Sequence, residues 1–296
     1  MNMKKSSFIR ANKHRKDRKV DVATVAELTR IFKRKTWEVK DDSDNQLSLF
    51  NRFISTLTNF SPEQRKLILE LTERFDLIPS SDYEAHIKIA LNNLLKDTAL
   101  DLSEINSIYV APLIAERDFG KNKSSKYVQY SLPNLLPYYS QLGNKKIIPT
   151  NELELPSNVK WETSILLVVD DFIGTGNTAK EAIGFLIDKK EIATNNIIVL
   201  SIAALREGIS LIKNLNVRIY TSMELKKGIT DFYSAEEIPN KLEIMDEIEG
   251  KIKRHKNEKY GYGKSEGLIK LIRTPNNTFP VFWKEKGGRI APFPRK

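Results

Sequence analysis

The spacing of apolar residues changes along this chain, and each change predicts a different kind of element. Leu67, Ile68, Leu71 and Phe75 recur at helical spacing behind a start signal in which Ser61 caps, Pro62 takes the first helical position and Gln64 completes a capping box. A second helix is predicted over Asp82 to Lys96, where Tyr83, Ile87, Leu91, Leu94 and Leu95 share one stripe. Both stripes read as packing faces. From Ser107 onward, short continuous apolar runs alternate with helical patterns. Residues 108–113, 165–169, 197–203 and 217–221 are predicted strands, with helices after the second and third. The fold class that follows is α/β, a parallel sheet covered on both faces by helices, with a helical extension ahead of it.

The chemistry concentrates where the run Ile165 to Val169 ends. Asp170 and Asp171 come next, then Phe172, Ile173 and the small polar stretch Gly174, Thr175, Gly176, Asn177 and Thr178. Ala179, Ala182, Ile183, Leu186 and Ile187 then take up a helical period, so residues 174–178 occupy the turn into a helix, where unpaired N–H groups point outward. Glycines let the backbone approach a ligand, threonine hydroxyls add donors, and the helix dipole favours an anion. The carboxylates would repel that anion but could accept hydrogen bonds from sugar hydroxyls and attract Mg2+. A ribose 5-phosphate fits this division. Two other readings compete: Gly174 to Ala179 also fits the dinucleotide pattern G-x-G-x-x-G/A of a Rossmann enzyme, and a plain strand-to-helix turn with a solvated acidic end needs no ligand. A Walker loop is excluded, because no Gly-Lys-Ser/Thr follows at the required spacing.

At these residues the chain resembles the PRPP-binding motif of the type I phosphoribosyltransferases: an apolar strand, two acidic residues, two apolar residues and a short Thr/Gly-rich loop. It departs from the usual pattern at Phe172, where a smaller aliphatic residue is common, and at Gly174. The resemblance implies a type I phosphoribosyltransferase-like sheet, with Asp170 and Asp171 on the ribose 2- and 3-hydroxyls and Gly174 to Thr178 on the 5-phosphate. It also implies Mg2+ carried on the substrate without direct protein ligands, and displacement at the ribose C1 of PRPP or a related phosphoribosyl nucleotide. The family holds pyrophosphate on a loop after an earlier strand, and here Lys121, Lys123, Ser124 and Lys126 follow the first strand. The proline-containing segment 131–154, with Tyr138 and Tyr139, is read as either a lid or a connector.

Toward the C-terminus, Tyr260 to Ser265 and Arg273 to Trp283 are rich in aromatic and turn residues. With the core motif, the run Pro275-Asn-Asn-Thr-Phe-Pro-Val-Phe-Trp283 resembles the divergent phosphoribosyltransferase-like proteins of bacterial conflict systems, over about residues 105–283. That likeness implies an effector of anti-phage defence, such as those carried beside a retron reverse transcriptase and its DNA. A non-catalytic phosphoribosyl-nucleotide sensor is the alternative.

Charge adds one further expectation. Residues 1–40 hold 13 Lys/Arg against Asp17, Asp21, Glu27 and Glu38, nearly all of the net charge of +10. Such an arm suits DNA or RNA phosphates, with Phe8, Phe32 and Trp37 available for stacking, or is a solvated tail. The expected organisation is a basic arm over 1–40, a helical extension over 41–104, and an α/β domain with a C-terminal cap over 105–296. Cysteine is absent, which removes disulfides, thiolate nucleophiles and Cys-based zinc sites and suits a cytoplasmic setting. No apolar run approaches the roughly 20 residues of a membrane span, and a signal-peptide core is lacking, so no membrane partner is expected. His14, His86 and His255 lack ligand-like spacing.

Overall fold

Five parallel strands carry the part of the chain that holds the acidic run. The computed structural model describes residues 20–43 and 46–295, and the chain divides into two compact units: Met1–Leu77 with Lys227–Lys270 and Thr274–Lys296, and Ile78–Lys226 with Leu271–Arg273. The boundary thus falls at Leu77, earlier than the expected 104, and the C-terminal segment belongs with the N-terminal helices.

The helical unit opens with α1 (Val22–Arg34), α2 (Leu49–Leu57) and α3 (Pro62–Glu73), followed by the short strand β1 (Asp76–Leu77). The capping box foreseen at Ser61 and Gln64 is formed. The expected basic arm is corrected over its second half, because residues 22–34 are an amphipathic helix whose Leu28, Ile31 and Phe32 are buried. Phe32 is fully buried and Trp37 packs edge-on against it, with ring centroids 5.3 Å apart, so neither is free to stack on a nucleobase. Arg30 pairs with Glu27, Arg34 with Glu73 and Lys40 with Glu38. Phe8, His14 and the cations from Lys4 to Lys19 lie outside the described residues.

The sheet unit runs α4 (Tyr83–Leu95), β2 (Ser107–Pro112), α5 (Ser125–Leu135), β3 (Lys146–Pro149), β4 (Ser164–Ile173), α6 (Asn177–Asp188), β5 (Ile197–Leu205), α7 (Arg206–Lys213) and β6 (Arg218–Leu225). Its strand order is β3-β2-β4-β5-β6, with every neighbouring pair parallel. The chain leaves β2 for one edge and returns to pair β4 on the other side of β2. The carboxyl ends of β2 and β4 therefore flank the point where winding reverses, the usual ligand crevice of open α/β sheets. Three elements differ from expectation. β4 continues to Ile173 because Phe172 and Ile173 pair with Ala203 and Ala204. The segment read as a lid or connector instead finishes α5 and supplies the edge strand β3, whose Pro149 is tolerated at a strand end. Ser125 and Lys126 sit in a helix instead of a loop.

The chain then adds α8 (Ile238–Lys251) and β7 (Ile269–Lys270) to the helical unit, with β7 parallel to β1. Phe32, Phe53, Phe75, Phe282 and Phe293 form the aromatic centre of this unit, and Phe75 stacks on Phe293 at 4.6 Å. No described helix is long and apolar enough to cross a membrane.

Candidate functional site

Asp170 and Asp171 are still in β4, so the alternation of a strand sends their side chains to opposite faces. Asp170 follows the parity of Leu166 and Val168, which pack with Ala179, Ile183 and Leu186 of α6, and it stands in register with Ser201 of β5. It is half-buried, and its Oδ1 accepts the N–H of Asp171 at 2.9 Å. Burial, and then the neighbouring charge of Asp171, push its carboxyl well above the usual carboxylate range.

Asp171 faces the other way, toward α4 and the start of α5. Only 4% exposed, it accepts hydrogen bonds on both oxygens: Ser124 Oγ donates to Oδ1 at 2.6 Å and Tyr83 Oη donates to Oδ2 at 3.0 Å. Tyr83 Oη in turn accepts the N–H of Ile272 at 2.9 Å. Burial, and next the adjacent Asp171 charge, raise the Tyr83 phenol above its ordinary pKa, so it stays a donor. The sequence pattern assigns Asp171 and Ser124 to separate tasks, and the fold joins them.

Gly174 to Gly176 make the turn from β4 into α6. Gly176 has φ +82°, and a Cβ there would stand 3.1 Å from the Cα of Gly208, so a larger residue meets both backbone strain and a neighbour. Gly208, in the first turn of α7, answers it: a Cβ on Gly208 would lie 2.4 Å from the Gly174 carbonyl oxygen. Sequence reasoning missed Gly208, whose only signal is a glycine two residues into the helix after β5. α6 begins at Asn177 without a side-chain cap and without an acidic residue in its first turn. Asn177 and Thr178 are exposed and Thr175 half-buried, which leaves the uncapped end open to an anion.

The lysines of the basic segment after β2 are paired with carboxylates. Lys121 and Lys123 reach the two oxygens of Asp118 at 2.6 and 2.7 Å, and these hydrogen bonds hold the Asp118 carboxyl at about 2. Glu152, 8% exposed, accepts the Gly120 N–H at 2.6 Å and pairs with Lys126 at 3.4 Å. Of the residues read as a pyrophosphate loop, Ser124 reaches the acidic end of β4, Lys121 and Lys123 meet Asp118 of their own segment, and Lys126 meets Glu152 from beyond β3.

The remaining described candidates are tied to neighbouring groups. His86 Nδ1 lies 2.8 Å from Ser222 Oγ, and burial lowers its pKa. His255 closes a capping turn with Glu258. In the C-terminal run, Trp283 Nε1–H donates to the Thr278 carbonyl at 2.7 Å and Thr278 Oγ1 donates to the Ile269 carbonyl at 2.8 Å, which fixes the aromatic segment to β7. A groove of about 560 Å³ lies between α1 and α3, lined by both signs of charge, including Glu27, Glu70, Arg34 and Arg74. No three or more His, Asp or Glu side chains gather as a metal site among the described residues.

No curated protein matches the chain. Among solved structures it is similar to orotate phosphoribosyltransferase from Aeropyrum pernix, at 16% identity and a TM-score of 0.32 over 55% of this chain and 77% of that one. It is also similar to the xanthine-guanine-hypoxanthine phosphoribosyltransferase of Helicobacter pylori, at 14% identity and a TM-score of 0.28 over 51% of this chain and 84% of that one. Likenesses this distant carry no argument. The sequence profile of a family does: it matches residues 53–295, from α2 through the sheet to the C-terminal aromatic run, and the chain belongs to the phosphoribosyltransferase-like family PRTase-CE.

Proposed function

We propose that the chain binds PRPP or a related phosphoribosyl nucleotide, with Mg2+, at the carboxyl ends of β2 and β4 and transfers or releases the phosphoribosyl group. The observation that carries this reading is the uncapped turn at Gly174 to Thr178, opened by Gly176 and seated on Gly208, beside a carboxylate-bearing strand end at the switch point of the sheet. The 5-phosphate takes the backbone N–H groups of the turn. Asp170, on the face that α6 covers, takes the ribose hydroxyls.

Substitution at C1 develops positive charge on the sugar and negative charge on the departing pyrophosphate. No protein nucleophile is needed, and catalysis rests on positioning and charge compensation. Mg2+ belongs to this reading as an ion that would arrive with the substrate and, when bound, would offset charge on the leaving group. The segment of Lys121, Lys123 and Lys126 would meet the pyrophosphate once its lysines exchange Asp118 and Glu152 for the ligand.

That pairing of the lysines favours a second reading, a sensor that binds the phosphoribosyl group without turning it over. A role in anti-phage defence beside a retron reverse transcriptase, and contact with DNA or RNA through residues 1–40, are the finer parts of the proposal. They rest on the sequence resemblance and on charge. Pyrophosphate release from PRPP and Mg2+ over a panel of bases and nucleotides separates the readings. Release that Asp170→Asn abolishes supports the enzyme, binding without release supports the sensor, and no binding of PRPP overturns both.

A further inference from the structure

The two carboxylates of the acidic pair do different work. We infer that Asp171 is a positioning residue: it anchors the N-terminal turn of α5, and with it the basic segment after β2, to the strand that leads into the phosphate turn, while only Asp170 meets the sugar.

The geometry of Asp171 carries this. Its oxygens are each engaged by a hydroxyl, Ser124 Oγ at 2.6 Å and Tyr83 Oη at 3.0 Å, and its side chain is closed off from solvent at 4% exposure. A carboxylate has lone pairs beyond those two bonds, but a sugar hydroxyl would have to displace Ser124 or Tyr83 to reach them. Asp170 is half-buried and faces the side of the sheet that the phosphate turn enters. The partners of Asp171 come from three separated places: Tyr83 from α4, Ser124 from the start of α5 and, through Tyr83, the backbone of Ile272. Ser124 follows Lys123 directly, and Lys123 holds Asp118 together with Lys121. Fixing Ser124 therefore fixes the segment whose cations are the candidates for pyrophosphate. Hydrogen bonds to a charged acceptor in a closed site are the strong kind, so one anchor of this type can hold a helix end in place.

This inference rests on the phosphoribosyl reading for its consequence, yet the anchor can be tested without it. The variants are Asp171→Asn, Ser124→Ala, Tyr83→Phe, the double variant Asp171→Asn with Ser124→Ala, and Ser124→Thr, which keeps the hydroxyl. Amide hydrogen exchange is read over residues 118–127 and, as an internal reference, over α6. The anchor predicts exchange about tenfold faster over 118–127 in Ser124→Ala and Asp171→Asn, no further gain in the double variant, and parent-like exchange in Ser124→Thr. Tyr83→Phe gives the same answer should Asp171→Asn fail to fold. Titration calorimetry with Mg2+ and two probes then separates positioning from sugar contact. Pyrophosphate affinity should fall about tenfold in Asp171→Asn and Ser124→Ala, and recover in Ser124→Thr, while ribose 5-phosphate affinity stays at the parent value. Unchanged exchange over 118–127 overturns the anchor. Loss of ribose 5-phosphate affinity with pyrophosphate affinity intact makes Asp171 a sugar ligand and overturns the inference. If the parent chain binds neither probe nor PRPP itself, the proposed function falls and the exchange result alone decides the anchor.

Discussion

Gly176 and Gly208 meet backbone to backbone: a Cβ on Gly176 would stand 3.1 Å from the Gly208 Cα, and one on Gly208 would reach 2.4 Å from the carbonyl oxygen just upstream, at Gly174. The turn after β4 is thus shaped by the first turn of the next crossover helix. Gly208→Ala forces that turn away from α7, and PRPP affinity should drop about tenfold or more while the sheet stays folded, since the clash can be relieved by shifting a surface turn. Calorimetry on the variant, with circular dichroism as the folding control, measures both; parent-like affinity would show that the turn does not depend on this contact.

Asp170→Asn should separate stability from activity. The raised pKa means that the folded chain holds the Asp170 proton more tightly than the unfolded chain does, so stability is full below the ordinary value of 3.8 and declines as pH rises through the folded value. An uncharged isostere escapes that decline. The variant should melt higher than the parent at neutral pH, with the gap closing as pH is lowered, and should lose turnover more than ground-state affinity. Thermal melts across pH, paired with pyrophosphate release, check both halves.

Asp118 has the opposite sign. Held at about 2 by Lys121 and Lys123, it contributes stability that is present above its ordinary value of 3.8 and lost as pH falls through about 2. Because the lysines are largely exposed, the effect should also shrink with added salt. If the segment takes pyrophosphate as proposed, saturating ligand competes with Asp118 for the same lysines and should move the Asp118 titration upward, measurable by carboxyl-carbon NMR.

How much of this was legible in the sequence follows the range of the interactions. The run from Ile165 to Thr178 reads directly as strand, turn and helix because its period changes within a few residues, and Ser61 with Gln64 marks α3 just as locally. What escaped is set by distant partners. Tyr83 lies 88 positions from the Asp171 it binds, and nothing near either residue announces the other. Lys146 to Pro149 is too short and too polar at its ends to show an edge strand, and Pro133 hides the helix α5 that contains it. Phe32 and Trp37 stand in a basic stretch and looked available for stacking, yet the aromatic cluster of Phe53, Phe75 and Phe293 claims both.

That cluster makes the C-terminus essential to the helical unit. Phe293, 4% exposed, packs on Phe75, Trp37 and Phe53. Phe293→Ala should cost about 3–5 kcal/mol, enough to unfold a marginal unit, and denaturant melts followed by tryptophan fluorescence will register it through Trp37 and Trp283.

The N-terminal cations give a prediction of their own. Deleting residues 1–19 removes eight basic residues and one acidic one. Affinity for single-stranded DNA, duplex DNA or structured RNA should then fall, along with its steep dependence on salt, while phosphoribosyl binding survives. Filter binding at several salt concentrations checks it, and unchanged affinity would place any nucleic-acid contact elsewhere.

The central claim is that Gly174 to Thr178 receives the 5-phosphate of a phosphoribosyl ligand. A crystal structure of the chain with PRPP and Mg2+ tests it most directly. The predicted result is a phosphate within hydrogen-bond reach of the backbone N–H groups of Gly176 to Thr178, with the ribose hydroxyls on Asp170; a phosphoribosyl group bound anywhere else, with the turn left to solvent at saturating ligand, would contradict it.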